Sequence, residues 1–201
     1  VTHLCHFDIP LLSNIPNLVY LAPTNREEYL AMLDWSLSYR EHPVAIRVPV
    51  GVTLPATRPV PTDYSALNTY EVVERGKDVA ILALGNFFSL GERVCRLLEA
   101  HGIRATLINP RYISGVDCDL LDSLATDHRL VVTLEDGALN GGFGEKIARH
   151  FGATGVKTLC YGAKKQFADR YAPKEFLAAN RLVDTMIVED IMKHSQGKFE
   201  R

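Results

Sequence analysis

Asp78-Val79-Ala80-Ile81-Leu82-Ala83-Leu84 decides the fold, together with the apolar-periodic stretch 90–101 that stops at Gly102 and the run Arg104-Ala105-Thr106-Leu107-Ile108-Asn109. The first run is short, unbroken and apolar, as a strand buried on both faces reads. The second repeats its apolar residues at helical spacing and ends where glycine can take the C-terminal turn. The third is again a strand. A strand, a helix and a strand in that order form a βαβ crossover, so the two strands run parallel.

The alternation continues outward in both directions. Downstream, the pattern predicts a helix over 116–125, a strand over 130–134, a helix over 144–151 and a strand over 156–160. An edge strand is expected over 70–74, before Gly76. Helices over 174–179 and 183–193 close the unit, and 194–201 is a polar tail with few apolar groups to order it. Upstream, the apolar run 18–22 is ended by Pro23, and Thr24 or Asn25 can cap a helix whose first turn holds Glu27 and Glu28. Tyr29, Met32, Leu33, Trp35, Leu37 and Tyr39 follow at roughly helical spacing. Pro43 then forces 44–48 into an extended run, which makes a further βαβ unit. Between these regions Pro49, Pro55, Pro59 and Pro61 remove backbone donors and fix φ, so 51–69 reads as a linker between a unit over 1–50 and one over 70–193.

Composition excludes several function classes. With 47% hydrophobic residues, 23% charged residues and a formal net charge of -2, the chain can bury a core but has no field for nucleic acid or an anionic membrane. No apolar run has the length of a membrane span and no signal-like block opens the chain, so the expected location is cytoplasmic. Cys5, Cys95, Cys118 and Cys160 lack the spacing of a zinc site or disulfide framework, and free thiols are expected.

Several stretches carry a resemblance. Thr2-His3-Leu4-Cys5-His6-Phe7-Asp8, Ile15-Pro16-Asn17, Ala22-Pro23 and Pro43-Val44-Ala45-Ile46-Arg47-Val48-Pro49 resemble the end of the pyrimidine-binding domain of transketolase-like, thiamine diphosphate-dependent enzymes. Leu82-Ala83-Leu84-Gly85, Asn109-Pro110-Arg111, Val131-Val132-Thr133-Leu134-Glu135-Asp136 and Gly141-Gly142-Phe143-Gly144 resemble the C-terminal domain of transketolases and of 2-oxoacid dehydrogenase β subunits. Within that superfamily the opening motif is most similar to the 1-deoxy-D-xylulose-5-phosphate synthases. The resemblance implies an α/β fold with a mostly parallel, helix-flanked sheet like the transketolase C-terminal domain, preceded by a βαβ remnant of the pyrimidine-binding domain. It also implies the C-terminal portion of a longer, homodimeric carboligating transferase acting on small ketoacids or sugar phosphates. Thiamine diphosphate and Mg2+ would serve the full-length enzyme, none is expected on this chain, and the chain alone is expected to be inactive.

The resemblance singles out His3. Its imidazole would exchange a proton with a substrate hydroxyl or stabilise a developing alkoxide. Read alone, a histidine before Phe7 is an ordinary surface or capping residue. Asp8 is expected to cap the segment from Ile9-Pro10, or else to orient a nearby ring, and His6 has no matching role. Where the synthases read Arg-Tyr-Pro-Arg-Gly, this chain reads Arg47-Val48-Pro49-Val50-Gly51, so Val50 replaces a guanidinium that would bind the acceptor's phosphate. Arg47 is not assumed to reach the substrate. A different transketolase-type substrate pair, a 2-oxoacid dehydrogenase β subunit and a noncatalytic assembly domain remain alternatives.

Other motifs read as structural. Glu135-Asp136-Gly137 lacks the first glycine and the later asparagine of a diphosphate motif and is assigned to a strand end and turn. Gly141-Gly142-Phe143-Gly144 precedes a helix, but Ile147 stands at the third glycine position of a dinucleotide loop, so tight turning and close helix packing are expected. His3, Cys5 and His6 lack further zinc ligands, and no Gly-x-Ser-x-Gly is present. Lys164, Lys165 and Arg170 read as a solvated face.

Overall fold

The computed structural model describes residues 6–48, 54–166 and 172–195. His3, Cys5, Pro49, Val50 and Arg170, singled out above, lie outside the described residues. The elements follow in the order α1 (Asp8–Leu12), β1 (Val19–Leu21), α2 (Arg26–Ser38), β2 (Val44–Ile46), β3 (Glu71–Glu74), β4 (Asp78–Ala83), α3 (Phe88–Ala100), β5 (Thr106–Asn109), α4 (Cys118–Asp127), β6 (His128–Ala138), α5 (Phe143–Phe151), β7 (Lys157–Ala163), α6 (Pro173–Ala179) and α7 (Asp184–Ser195).

The main sheet has the order β3-β5-β4-β6-β7. β5, β4, β6 and β7 are mutually parallel, and β3 is an antiparallel edge on β5. Alternation along β4 divides the core between the two faces. Val79, Ile81 and Ala83 pack with Val94 and Leu98 of α3 and with Ile187 and Ile191 of α7. Ala80 and Leu82 pack on the other side with Leu121 and Leu124 of α4 and with Phe143, Ile147 and Phe151 of α5. That second core also takes in Ile9, Val19, Leu21, Met32 and Trp35, so the N-terminal elements share it.

β1 and β2 form a separate two-stranded parallel sheet. An antiparallel bridge from Leu21 to Tyr112 ties β1 to the segment after β5. The Ala22 amide donates to the Arg111 carbonyl and the Ile113 amide to the Tyr20 carbonyl, both at 2.7 Å. The proline-rich stretch is largely exposed where it is described, and it is anchored to the core at individual side chains. Tyr64 is buried edge-on against Trp35, its carbonyl accepts the Tyr112 hydroxyl at 2.7 Å, and the Arg58 guanidinium lies 4.4 Å from the centre of the Phe88 ring.

Asn25 caps α2 by accepting the Glu28 amide at 2.8 Å, the second of the two candidates from sequence. On the opposite side of this helix Leu30, Leu33 and Leu37 form an exposed apolar stripe at spacings of three and four residues. Met32 and Trp35, on the other side, are the buried ones.

Two sequence expectations need correction. Asp8 is not a cap: Phe7 holds the N-cap position of α1 without a side-chain bond, and the Asp8 carboxylate is drawn instead to Arg47 and Tyr20. Glu135 and Asp136 are not a turn, because β6 runs on to Ala138, which pairs with Ala163. The ladder to β7 is irregular between Leu134 and Ala138, and there Glu135 and Asp136 find partners in the Phe143 and Gly144 amides and in Arg47.

Candidate functional site

In open α/β sheets, ligands bind beyond the carboxyl ends of the parallel strands. At that end Arg47, just past β2, meets Asp136, near the end of β6. It also grips Asp8 with two nitrogens, Nε to Oδ2 at 2.5 Å and Nη2 to Oδ1 at 3.3 Å. The Tyr20 hydroxyl donates to Asp8 Oδ2 at 2.7 Å, so the ring-orienting role considered for Asp8 is the one realised. Arg47 and both carboxylates are largely buried. Burial alone would lower the Arg47 pKa, but Asp136 and Asp8 more than offset it and hold the guanidinium charged. One cation against two carboxylates leaves no positive charge free for a phosphate.

The neighbouring glycine-rich loop is closed to anions for a different reason. Phe143 and Gly144 open α5, and their amides donate to Glu135 Oε2 and Oε1 at 2.9 and 2.8 Å. The helix N-terminus, a ready-made anion site, is thus filled by the chain's own carboxylate. A Cβ at Gly142 would lie 2.6 Å from Glu135 Oε2, and one at Gly144 would lie 2.6 Å from Thr133 Oγ1. Glycine is required there for close approach, as the sequence suggested. Burial pushes the Glu135 carboxyl up to about 7; the amides of Gly144 and Phe143 oppose that rise, Asp136 adds to it and Arg47 moderates it.

Beside this lies a second polar cluster, where the strand order reverses around β4. Buried Glu28 accepts the Thr24 amide at 2.7 Å, the Thr24 hydroxyl at 2.8 Å, Asn109 Nδ2 at 3.1 Å and Arg111 Nε at 2.8 Å. Arg111 also reaches Glu71 at 2.7 Å. Gly85, which follows β4, abuts Ala22: a Cβ there would lie 3.3 Å from the Ala22 Cβ. The crevice where a doubly wound sheet would take a nucleotide is therefore filled by N-terminal residues.

Of the residues singled out from sequence, His6 is described and Arg47 is brought into the network, whereas His3 and Val50 lie outside the described residues. The His6 ring stacks on Phe176 at 5.0 Å and its carbonyl accepts the Ala138 amide at 2.7 Å. Among the described residues, its buried Nε2 has no hydrogen-bond partner and no group of three or more His, Cys, Asp or Glu is placed to hold a metal ion. Sequence reasoning missed the pairings of Asp136 and Arg111. The one local signal was Glu28 at the third helical position after Asn25, a capping spacing that points its carboxylate back toward Thr24.

A helix-covered sheet of parallel strands with one antiparallel edge, its carboxyl end closed by a preceding βαβ unit, defines a C-terminal α/β domain of the transketolase type. The family "Transketolase, C-terminal domain" matches residues 68–182, more than half of the chain, and the chain belongs to it. It is similar to the 1-deoxy-D-xylulose-5-phosphate synthase of Gloeothece citriformis (strain PCC 7424), 33% identical over 198 residues, which are 96% of this chain and 31% of the synthase. A synthase of the same name from Heliobacterium modesticaldum (strain ATCC 51547 / Ice1) is 36% identical over 155 residues, covering 77% of this chain and 24% of that one. The chain therefore spans under a third of the length of these curated relatives. Among solved structures, a split-gene transketolase described as an inactive β4 tetramer superposes with a TM-score of 0.77 at 26% identity, covering 96% of this chain and 62% of that one. A Pichia stipitis transketolase superposes at 0.75 with 16% identity, covering 98% of this chain and 28% of that one, a likeness of fold. Among the described residues no helix is long and apolar enough to cross a membrane.

Proposed function

We propose that the chain is part of a thiamine diphosphate- and Mg2+-dependent transferase that works as a 1-deoxy-D-xylulose-5-phosphate synthase, joining a two-carbon unit from pyruvate to glyceraldehyde 3-phosphate. The observation that carries this reading is similarity to such synthases over 96% of the chain, the N-terminal unit included. His3 is the residue this chain would contribute to catalysis, through proton exchange at the substrate hydroxyl. The described residues do not fit the diphosphate or its metal: Arg47 is neutralised by Asp8 and Asp136, and the one glycine-rich helix start is filled by Glu135. Those groups would be held by polypeptide outside this chain, in a homodimeric, cytoplasmic enzyme, with 51–69 linking the two units of this part. Val50 in place of an arginine would weaken recognition of a phosphorylated acceptor.

A noncatalytic assembly role is the second reading. It is favoured by the mutual neutralisation of the charges at the carboxyl end of the sheet. The test uses the complete gene product with thiamine diphosphate and Mg2+, given pyruvate with glyceraldehyde 3-phosphate and, separately, xylulose 5-phosphate with ribose 5-phosphate. The synthase reading expects product from the first pair, and His3→Ala should lower turnover roughly 100-fold or more. Product from the second pair alone would replace the synthase with a transketolase, and no product from either would favour assembly. Unchanged turnover in His3→Ala would remove His3 from the chemistry.

A further inference from the structure

Glu135 has no role in the chemistry proposed above, yet it occupies a mechanical centre. Its carboxylate is completely buried and holds the first two amides of α5. Loop 137–142, which takes in the last two residues of β6, lies directly on it: a Cβ at Gly142 would come within 2.6 and 2.7 Å of its two oxygens, and one at Gly137 within 3.4 Å of Oε2. The other side of the same loop carries the N-terminal segment. A Cβ at Gly137 would lie 2.8 Å from Ile9 Cδ1, a Cβ at Gly141 would lie 3.2 Å from Pro10 Cβ, and the Ala138 amide donates to the His6 carbonyl at 2.7 Å. The loop is thus held between a single carboxylate and the helix that begins at Asp8.

We infer that Glu135 is a positioning residue whose carboxylate sets loop 137–142 and, through it, the placement of His6 and α1. An ionised carboxylate accepts both the Phe143 and Gly144 amides. A protonated one turns a hydroxyl toward one of them, loses an acceptor and lets the loop shift. The charged and titratable groups around it come from several packed elements: Asp136 beside it on β6, Arg47 beyond β2, Lys146 on α5 and Cys160 on β7, with Asp8 of α1 paired to that same Arg47 and Glu145 of α5 acting on Cys160. With its carboxyl pushed by burial up to about 7, the two forms exchange close to neutrality. The consequence for His3, five residues ahead of Asp8, rests on the function proposed above, whereas the coupling to His6 and α1 does not.

Amide chemical shifts of 15N-labelled protein, followed from pH 5.5 to 8.5 (roughly one unit or more on either side of a histidine or raised carboxyl midpoint), read the coupling without any substrate. The Phe143, Gly144 and Ala138 amides should titrate together with one midpoint near 7. Glu135→Gln should abolish that titration at all three. His6→Gln should leave the titration in place, which separates it from the histidine's own. The inference fails if Ala138 does not move with Phe143 and Gly144 in the wild-type protein, a result that needs no variant to fold. It also fails if the titration survives Glu135→Gln or disappears in His6→Gln.

Discussion

Arg111→Met would sever the bridge between the N-terminal unit and the main sheet. Arg111 spans Glu28 on α2 and Glu71 on β3, and the Glu28 side chain is 2% exposed against 14% for Arg111. Removing one partner of a buried ion pair costs about 3–5 kcal/mol, because the other charge is left uncompensated. Glu28 would keep its bonds from Thr24 and Asn109, which places the loss at the lower end, about 3 kcal/mol. For a chain of this size that corresponds to a fall in Tm of roughly 6–12 °C. Glu28→Gln removes the charge while keeping most of the hydrogen-bond geometry, so Arg111→Met in that background should cost at least about 1 kcal/mol less than in the wild type. Urea denaturation followed by the fluorescence of Trp35, the single tryptophan and a buried residue of α2, gives all four corners of the cycle. Additive losses, or a loss below about 1 kcal/mol for Arg111→Met alone, would refute the bridge as an energetic link.

Two further outcomes test packing and titration. Gly144→Ala would press a Cβ to 2.6 Å from Thr133 Oγ1 and 3.0 Å from Cys160 Cβ, in the two strands beneath α5, and should cost about 1–3 kcal/mol. Gly155→Ala, with nothing within 4 Å of the added carbon, should stay within about 0.5 kcal/mol of wild type, and equal melting temperatures for the two variants would contradict that packing. Glu135 has its pKa raised on folding from 4.5 to about 7, so its contribution to stability is fully present below the unfolded value and is lost as pH rises through about 7. The urea midpoint should therefore decline between those limits by more in the wild type than in Glu135→Gln; matching declines would place the proton elsewhere.

The periodic parts of the fold were legible because they are local. Residues 78–84 show the strand directly, and alternation along it separates Val79, Ile81 and Ala83 from Ala80 and Leu82 on opposite faces. Asn25 as the cap of α2 and the parallel pairing of β1 with β2 follow from equally short-range signals. What escaped depends on distance along the chain. Asp136 looked like a turn residue because its partner, Arg47, lies 89 positions away, and Asp8 looked like a cap because its partner lies 39 away. Glu135 was hidden by the same ambiguity: a glycine-rich helix start signals an anion site, and nothing in the motif says whether the anion is a ligand or a side chain nine residues upstream. The packing of Tyr64 against Trp35 was likewise unreadable, since prolines announce extended backbone without saying what it rests on.

The leucine stripe along α2 would make protein concentration a thermodynamic variable wherever it drives copies of this chain together. Water released from Leu30, Leu33 and Leu37 favours any association that covers them, and mass action then adds to the apparent stability of whatever state is associated. Denaturation midpoints for variants belong at one matched concentration, with a dilution series alongside, so that a change in self-association is not mistaken for a change in folding.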